Sequence, residues 1–116
     1  YFMTQDAEIN IFRCLDFLRD NASAYATAKA NRAYLEEYRK TLKAQLMIES
    51  EQYGAKSSAT QERDAYAHTN YKNHLCALQE AIQIEEDLRW KLVAAQAKIE
   101  AWRTIESSRR YESRVV

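Results

Sequence analysis

The sequence predicts an all-α protein, a long antiparallel helical hairpin with a short corner helix, and three observations carry that reading. The 116 residues include one glycine, Gly54, and no proline, so the tight turns of a strand-rich domain have almost no raw material. Alanine occurs 18 times against a background of Glu, Lys, Arg, Gln and Leu, which is helix-forming composition. Apolar and small residues recur at steps of three and four, the spacing of one helix face.

Tyr1-Phe2 ahead of Met3 reads as the remnant of a cleaved tag, which places a single helical domain at 3–116. The first helix is expected over about 5–53. Its stripe runs through Ile11, Leu15, Leu18, Ala22, Tyr25, Ala28, Leu35, Tyr38, Leu42 and Leu46. Asp20-Asn21-Ala22-Ser23 has the composition of a helix stop and restart, yet the stripe keeps phase across it, so continuity is expected. Gly54-Ala55-Lys56-Ser57-Ser58 is the clear break. Gly54 suits the left-handed position after a helix end, and Ser58 with Gln61 reads as a capping box for a short helix over about 59–67. His68-Thr69-Asn70 interrupts again, with Thr69 as the expected cap of a third helix over about 70–110. The stripe of this helix is Tyr71, Leu75, Leu78, Ile82, Leu88, Leu92, Ala95, Ile99 and Trp102. It fades near Arg109 and Arg110, and a frayed tail is expected beyond.

Leu, Ile, Val and Phe make up only 22 of the 116 residues, thin for helices of this length. A homo-oligomer held by coiled-coil-like packing is therefore expected, with Leu35, Leu42, Leu88, Leu92 and Trp102 buried within or between chains. No apolar run is long enough to span a membrane, and no signal peptide is visible, so the expected location is the cytoplasm and Cys14 and Cys76 are expected as free thiols. Seventeen basic residues balance 17 acidic ones, so any nucleic-acid binding has to come from local patches.

No catalytic constellation, metal site or cofactor motif emerges, and the protein is expected not to be an enzyme. Glu36-Glu37 and Glu85-Glu86-Asp87 supply carboxylates, but adjacent helix positions point about 100° apart, so solvated faces or ion pairs are the better reading. Glu85 falls on the apolar stripe, where it would be partly buried or face a partner's basic residue. His68 and His74 have no nucleophile at a useful spacing and read as surface polar residues. Lys29, Arg32, Arg39 or Lys40, and Lys43 follow one side of a helix with Tyr34 and Tyr38 nearby. Arg89, Arg103 and Arg110 recur at multiples of seven beside Trp90 and Trp102. Cations interleaved with aromatic rings suit single strands, where charges follow phosphates and rings stack on bases.

Three strings carry a resemblance. Ala28-Lys29-Ala30-Asn31-Arg32-Ala33-Tyr34-Leu35-Glu36-Glu37-Tyr38-Arg39-Lys40 leads into Lys43-Ala44-Gln45-Leu46-Met47. Ala59-Thr60-Gln61-Glu62-Arg63-Asp64-Ala65-Tyr66-Ala67 and Lys98-Ile99-Glu100-Ala101-Trp102-Arg103-Thr104 follow. Together these resemble a set of small helical tailed-phage proteins, and the order of elements is similar to that of UvsY-type recombination mediators. The resemblance implies an oligomeric, non-catalytic accessory of DNA recombination in the host cytoplasm. It would bind single-stranded DNA and a recombinase or single-strand-binding protein. The implied DNA contacts are Lys29, Arg32, Arg39, Lys40, Lys43, Arg63 and Arg103, with Tyr34 the stacking candidate because Trp102 lies on the apolar stripe. The competing reading is a protein-interaction module, such as an inhibitor of a host defence enzyme or a helical assembly factor, with no DNA binding.

Overall fold

The structure, a computed structural model, describes residues 8–115; the expected tag remnant and the expected first turn at 5–7 lie outside them. Three helices account for almost all of the described residues: α1 Ile11–Gln52, α2 Ser58–Ala67 and α3 Thr69–Val115. No strand occurs among the described residues, and the two long helices pack against each other in the expected hairpin class.

The helix ends differ from the expected ones for local reasons. Helix α1 begins at Ile11, after the Asn10 carboxamide has accepted the Arg13 backbone N–H at 3.1 Å. It runs unbroken through residues 20–23, where the Asn21 side chain donates to the Phe17 carbonyl one turn back at 2.9 Å. The asparagine thus serves the helix rather than stopping it. Gly54 ends α1 at φ 110°, and the N–H of Ala55 closes onto the Ser50 carbonyl at 3.1 Å. The cap of α2 is Ser57 rather than Ser58: its backbone is extended and its hydroxyl accepts the Thr60 N–H at 3.1 Å. Gln61 does reach back, but to the Ala55 carbonyl. Thr69 is already helical, and the capping role falls to His68, whose Nδ1 accepts the Asn70 N–H at 2.9 Å. Helix α3 continues to Val115 instead of fraying near residue 110. Pairs one turn apart, Arg103–Glu100 and Arg109–Glu106, line this stretch, and Arg114 sits favourably at the negative end of the helix dipole.

The chain divides into two compact units. The corner unit, 26–86, holds the second part of α1, all of α2 and the start of α3. Its core is Leu46, Ala65 and Tyr71, with Leu42 and Met47 packed against them. The long helices run antiparallel here: Leu46 shares a cluster with Tyr71 while Arg32, earlier in α1, meets Glu85, later in α3. Helix α2 is tied to α1 by Lys43–Glu62 at 2.6 Å and by the Ser50 hydroxyl donating to Asp64 at 2.7 Å. Among the described residues the terminal unit consists of 8–25 and 87–115; Cys14 and Ala95 are buried in it, and Leu18, Leu88, Leu92, Ile99 and Trp102 are half-buried.

Burial in α3 follows a strict alternation of three- and four-residue steps. In α3, positions 71, 74, 78, 81, 85, 88, 92, 95, 99, 102 and 106 are all buried or half-buried, the 3.5-residue repeat of a coiled-coil seam. Leu35, Leu42, Leu88, Leu92 and Trp102 lie on the seams of their helices, each half-buried. Elsewhere the expected stripe is off by one residue. Cys14, Asn21, His74 and Ala81 face inward where Leu15, Ala22, Leu75 and Ile82 were expected, and Leu15 remains 47% exposed. Small residues fill buried positions at Ala28, Ala81 and Ala95, and beside Ala81 the larger Ile82 lies on the flank.

Gly54 separates backbone strain from crowding, because a methyl group added there meets nothing within 4 Å. Gly54→Ala should cost about 1–2 kcal/mol, the scale of a left-handed penalty, in urea unfolding. Gly54→Asn should recover part of that loss.

Candidate functional site

Arg32 and Glu85 form the most enclosed polar contact of the corner unit. Arg32 is a seam residue of α1 and Glu85 of α3, and two nitrogens of the guanidinium reach two oxygens of the carboxylate at 2.7 and 3.2 Å. The third nitrogen donates to Glu36, one turn along α1, at 3.0 Å. Glu85 is only 7% exposed, and its ionised form survives burial because of this fork. The hydrogen bond from Arg32 holds the Glu85 carboxyl below the ordinary value of 4.5 against the opposing effect of burial. Arg32 is driven reciprocally upward by Glu85.

His74, expected at the surface, is instead half-buried in the seam. Its Nε2 lies 2.6 Å from the Leu35 carbonyl, and since a carbonyl only accepts, Nε2 carries the proton. The Tyr38 ring lies 5.6 Å from the imidazole and stacks in turn on Tyr34 at 5.8 Å.

The cations proposed for DNA divide into two groups. Arg32 is committed to Glu85 and Glu36. Lys43 is held by Glu62 and lies 4.9 Å over the Tyr66 ring; the Glu62 hydrogen bond, with one to Tyr66, raises its pKa. Arg63 and Arg103 contact Asp64 and Glu100 on their own helices, and Lys40 contacts Glu37 at 3.5 Å. Lys29, Arg39 and Lys40 are exposed, as is Tyr34. These do not form one tract. Lys29 and Lys40 share a side of α1, whereas Tyr34 is rotated roughly 120–140° from them and Arg39 roughly 80–100° the other way.

The carboxylate runs resolve into ion pairs. Glu36 joins Arg32, Glu37 joins Lys40 and Asp87 joins Lys91. Among the described residues, no three His, Cys, Asp or Glu side chains gather as a metal site would require. Cys14 and Cys76 are free thiols, the first buried and the second exposed.

The terminal unit carries a feature that periodicity along single helices did not signal. An open groove of about 760 Å³ lies between α1 and α3, lined by Ile9, Cys14 and Phe17 and by the cations Arg13, Lys91 and Lys98; Glu8 also lines it. Such a groove needs two helices side by side, and neither stripe alone reveals it.

Comparison with protein-family models, curated proteins and solved structures finds no match for this chain.

Two measurements check the Arg32–Glu85 assignment. The stability that Glu85 contributes is complete above pH 4.5 and is lost as pH falls through its lower folded value, so Glu85→Gln should flatten the acid limb of a stability–pH curve. Arg32→Met leaves a buried carboxylate without its partner and should lower the melting temperature further than Arg32→Met combined with Glu85→Leu.

Proposed function

We propose that the protein is a non-catalytic accessory of phage DNA recombination, an oligomeric helical scaffold that binds single-stranded DNA and a recombinase or single-strand-binding protein. The observation that carries the scaffold reading is the placement of large apolar side chains outside the seam. Leu15, Ile48, Leu75, Ile82, Ile84 and Trp90 all remain exposed while small residues occupy buried positions. Exposed apolar side chains in this number favour association with further protein. No helix among the described residues is long and apolar enough to cross a membrane, so a bilayer-spanning role does not account for them.

The DNA-binding part rests on the resemblance and on exposed Lys29, Arg39 and Lys40 of α1, with Tyr34 exposed on another side of the same helix. Arg32 and Lys43 drop out of the contact set, because a carboxylate at 2.6–2.7 Å already occupies each. The same neutralisation favours the second reading, a protein-interaction module without DNA binding, such as an inhibitor of a host defence enzyme or a helical assembly factor.

Fluorescence anisotropy with a labelled single-stranded oligonucleotide at low salt separates the two. Under the first reading the wild type binds with little sequence preference, and binding weakens as salt rises. Replacing Lys29, Arg39 and Lys40 together by glutamine should weaken binding and reduce the salt slope, with helicity kept. No binding by the wild type would overturn the first reading and favour the protein-interaction one.

A further inference from the structure

We propose that the protein self-associates through a second seam of α3, in which two copies lie antiparallel about a two-fold axis centred at residue 89. This rests on the scaffold reading above and specifies its surface and register. Beside the seam that faces α1, α3 carries another set at alternating steps of three and four: Ala77, Glu80, Ile84, Asp87, Lys91, Ala94, Lys98, Ala101 and Ile105. Every one of them is exposed. A helix with two such seams has a face left over after it has packed on its hairpin partner.

The charges on this second seam are segregated. Glu80 and Asp87 lie on the earlier half, and Lys91 and Lys98 on the later half. Antiparallel pairing about residue 89 sets Glu80 of one copy opposite Lys98 of the other, while Asp87 and Lys91, already joined within each chain at 3.0 Å, meet the same pair of the other copy at the axis with opposite charges facing. The same register sets Ile84 opposite Ala94 and Ala77 opposite Ala101. A two-fold axis makes each pairing occur twice, as an isologous contact requires. A parallel arrangement in register would instead bring like charges together, so the pattern selects one orientation.

The groove of the terminal unit completes the match. Lys91 and Lys98 belong both to the second seam and to the groove, which adds the apolar side chains of Ile9 and Phe17 and a further cation, Arg13, so that three cations stand against one acid, Glu8. The segment that the register delivers to it is Glu80 to Asp87 of the other copy, whose Ile84 is 49% exposed in the single chain and is flanked by two acids. An acidic segment with one large apolar side chain is what a groove with an apolar lining and cationic neighbours accepts.

Sedimentation velocity on the full chain over a micromolar concentration series tests the proposal. Glu80→Lys alone places two lysines together, Lys98→Glu alone places two glutamates together, and each should weaken association about tenfold or more. Glu80→Lys combined with Lys98→Glu reverses both charges and should restore association to near the wild-type level. All four positions of the charge pattern are exposed, and far-ultraviolet circular dichroism checks that the variants remain helical. Ile84→Asp, which places a charge against the groove lining, is a second disrupting variant that does not depend on the ion pairs. A wild type that stays monomeric overturns the proposal and the scaffold reading together. A wild type that associates equally well with either single change, or a double change that fails to restore association, overturns this surface and leaves the scaffold reading standing. Neither result depends on whether DNA is bound.

Discussion

The Arg32–Glu85 fork is the constraint on which the corner unit depends. A seam of alternating three- and four-residue steps is nearly repetitive, and small residues such as Ala28 and Ala81 fit against many neighbours. Sliding one helix by a heptad, about 10 Å, would cost such a seam little in apolar contact. It would, however, leave Glu85 buried without its guanidinium, and an unpaired buried carboxylate is among the most unfavourable groups a core can hold. The pair therefore contributes more to register than to net stability. His74 adds a second fixed point, since its bond to the Leu35 carbonyl exists in one register only. Lys43–Glu62 and Ser50–Asp64 do the same for α2.

The small seam residues have a second consequence. Alanine and cysteine bury less apolar surface than leucine or isoleucine, so each seam layer contributes less to stability. With Cys14, His74 and Ala81 in the seam positions, Leu15, Leu75 and Ile82 lie on the flanks, where part of their surface stays in contact with water. Specific pairing inside one chain and the exposure of large apolar side chains thus arise from the same choice of residues. The groove lined by Ile9, Cys14 and Phe17 belongs to this logic: a small side chain at position 95 leaves room beside the seam.

Much of the fold was legible because helix composition, one glycine and a three-four repeat agree with one another. Gly54 and the serines after it marked the corner, and the phase of the stripe across residues 20–23 was enough to read α1 as unbroken. At Asn21 and His74 a polar residue takes the seam position, which hydrophobicity alone does not select; the other errors of the stripe share one cause. Where a large and a small apolar residue are neighbours, as with Cys14 and Leu15 or Ala81 and Ile82, hydrophobicity selects the larger, whereas the seam selects by position. Ser57 against Ser58 and His68 against Thr69 are the same kind of one-residue ambiguity, settled by backbone conformation that composition does not encode. Glu85 was visible as a polar residue on an apolar stripe, but its partner lies 53 residues away, and no local pattern connects Arg32 to it.

The free cations set the terms for any contact with DNA. A lysine already bonded to a carboxylate must give up that bond to neutralise a phosphate, so Lys43 has less to gain from a strand than Lys29 does. With Arg32 and Lys43 engaged, one copy offers few uncommitted positive charges on α1, and they point in different directions around the helix. A monomer of zero net charge built this way would hold a strand weakly at physiological salt. Assembly changes the arithmetic, because copies arranged along one strand bring their few cations to it together, and binding at one copy raises the effective concentration at the next. On the proposed function, then, self-association is the condition under which a neutral chain becomes a useful ligand for single-stranded DNA.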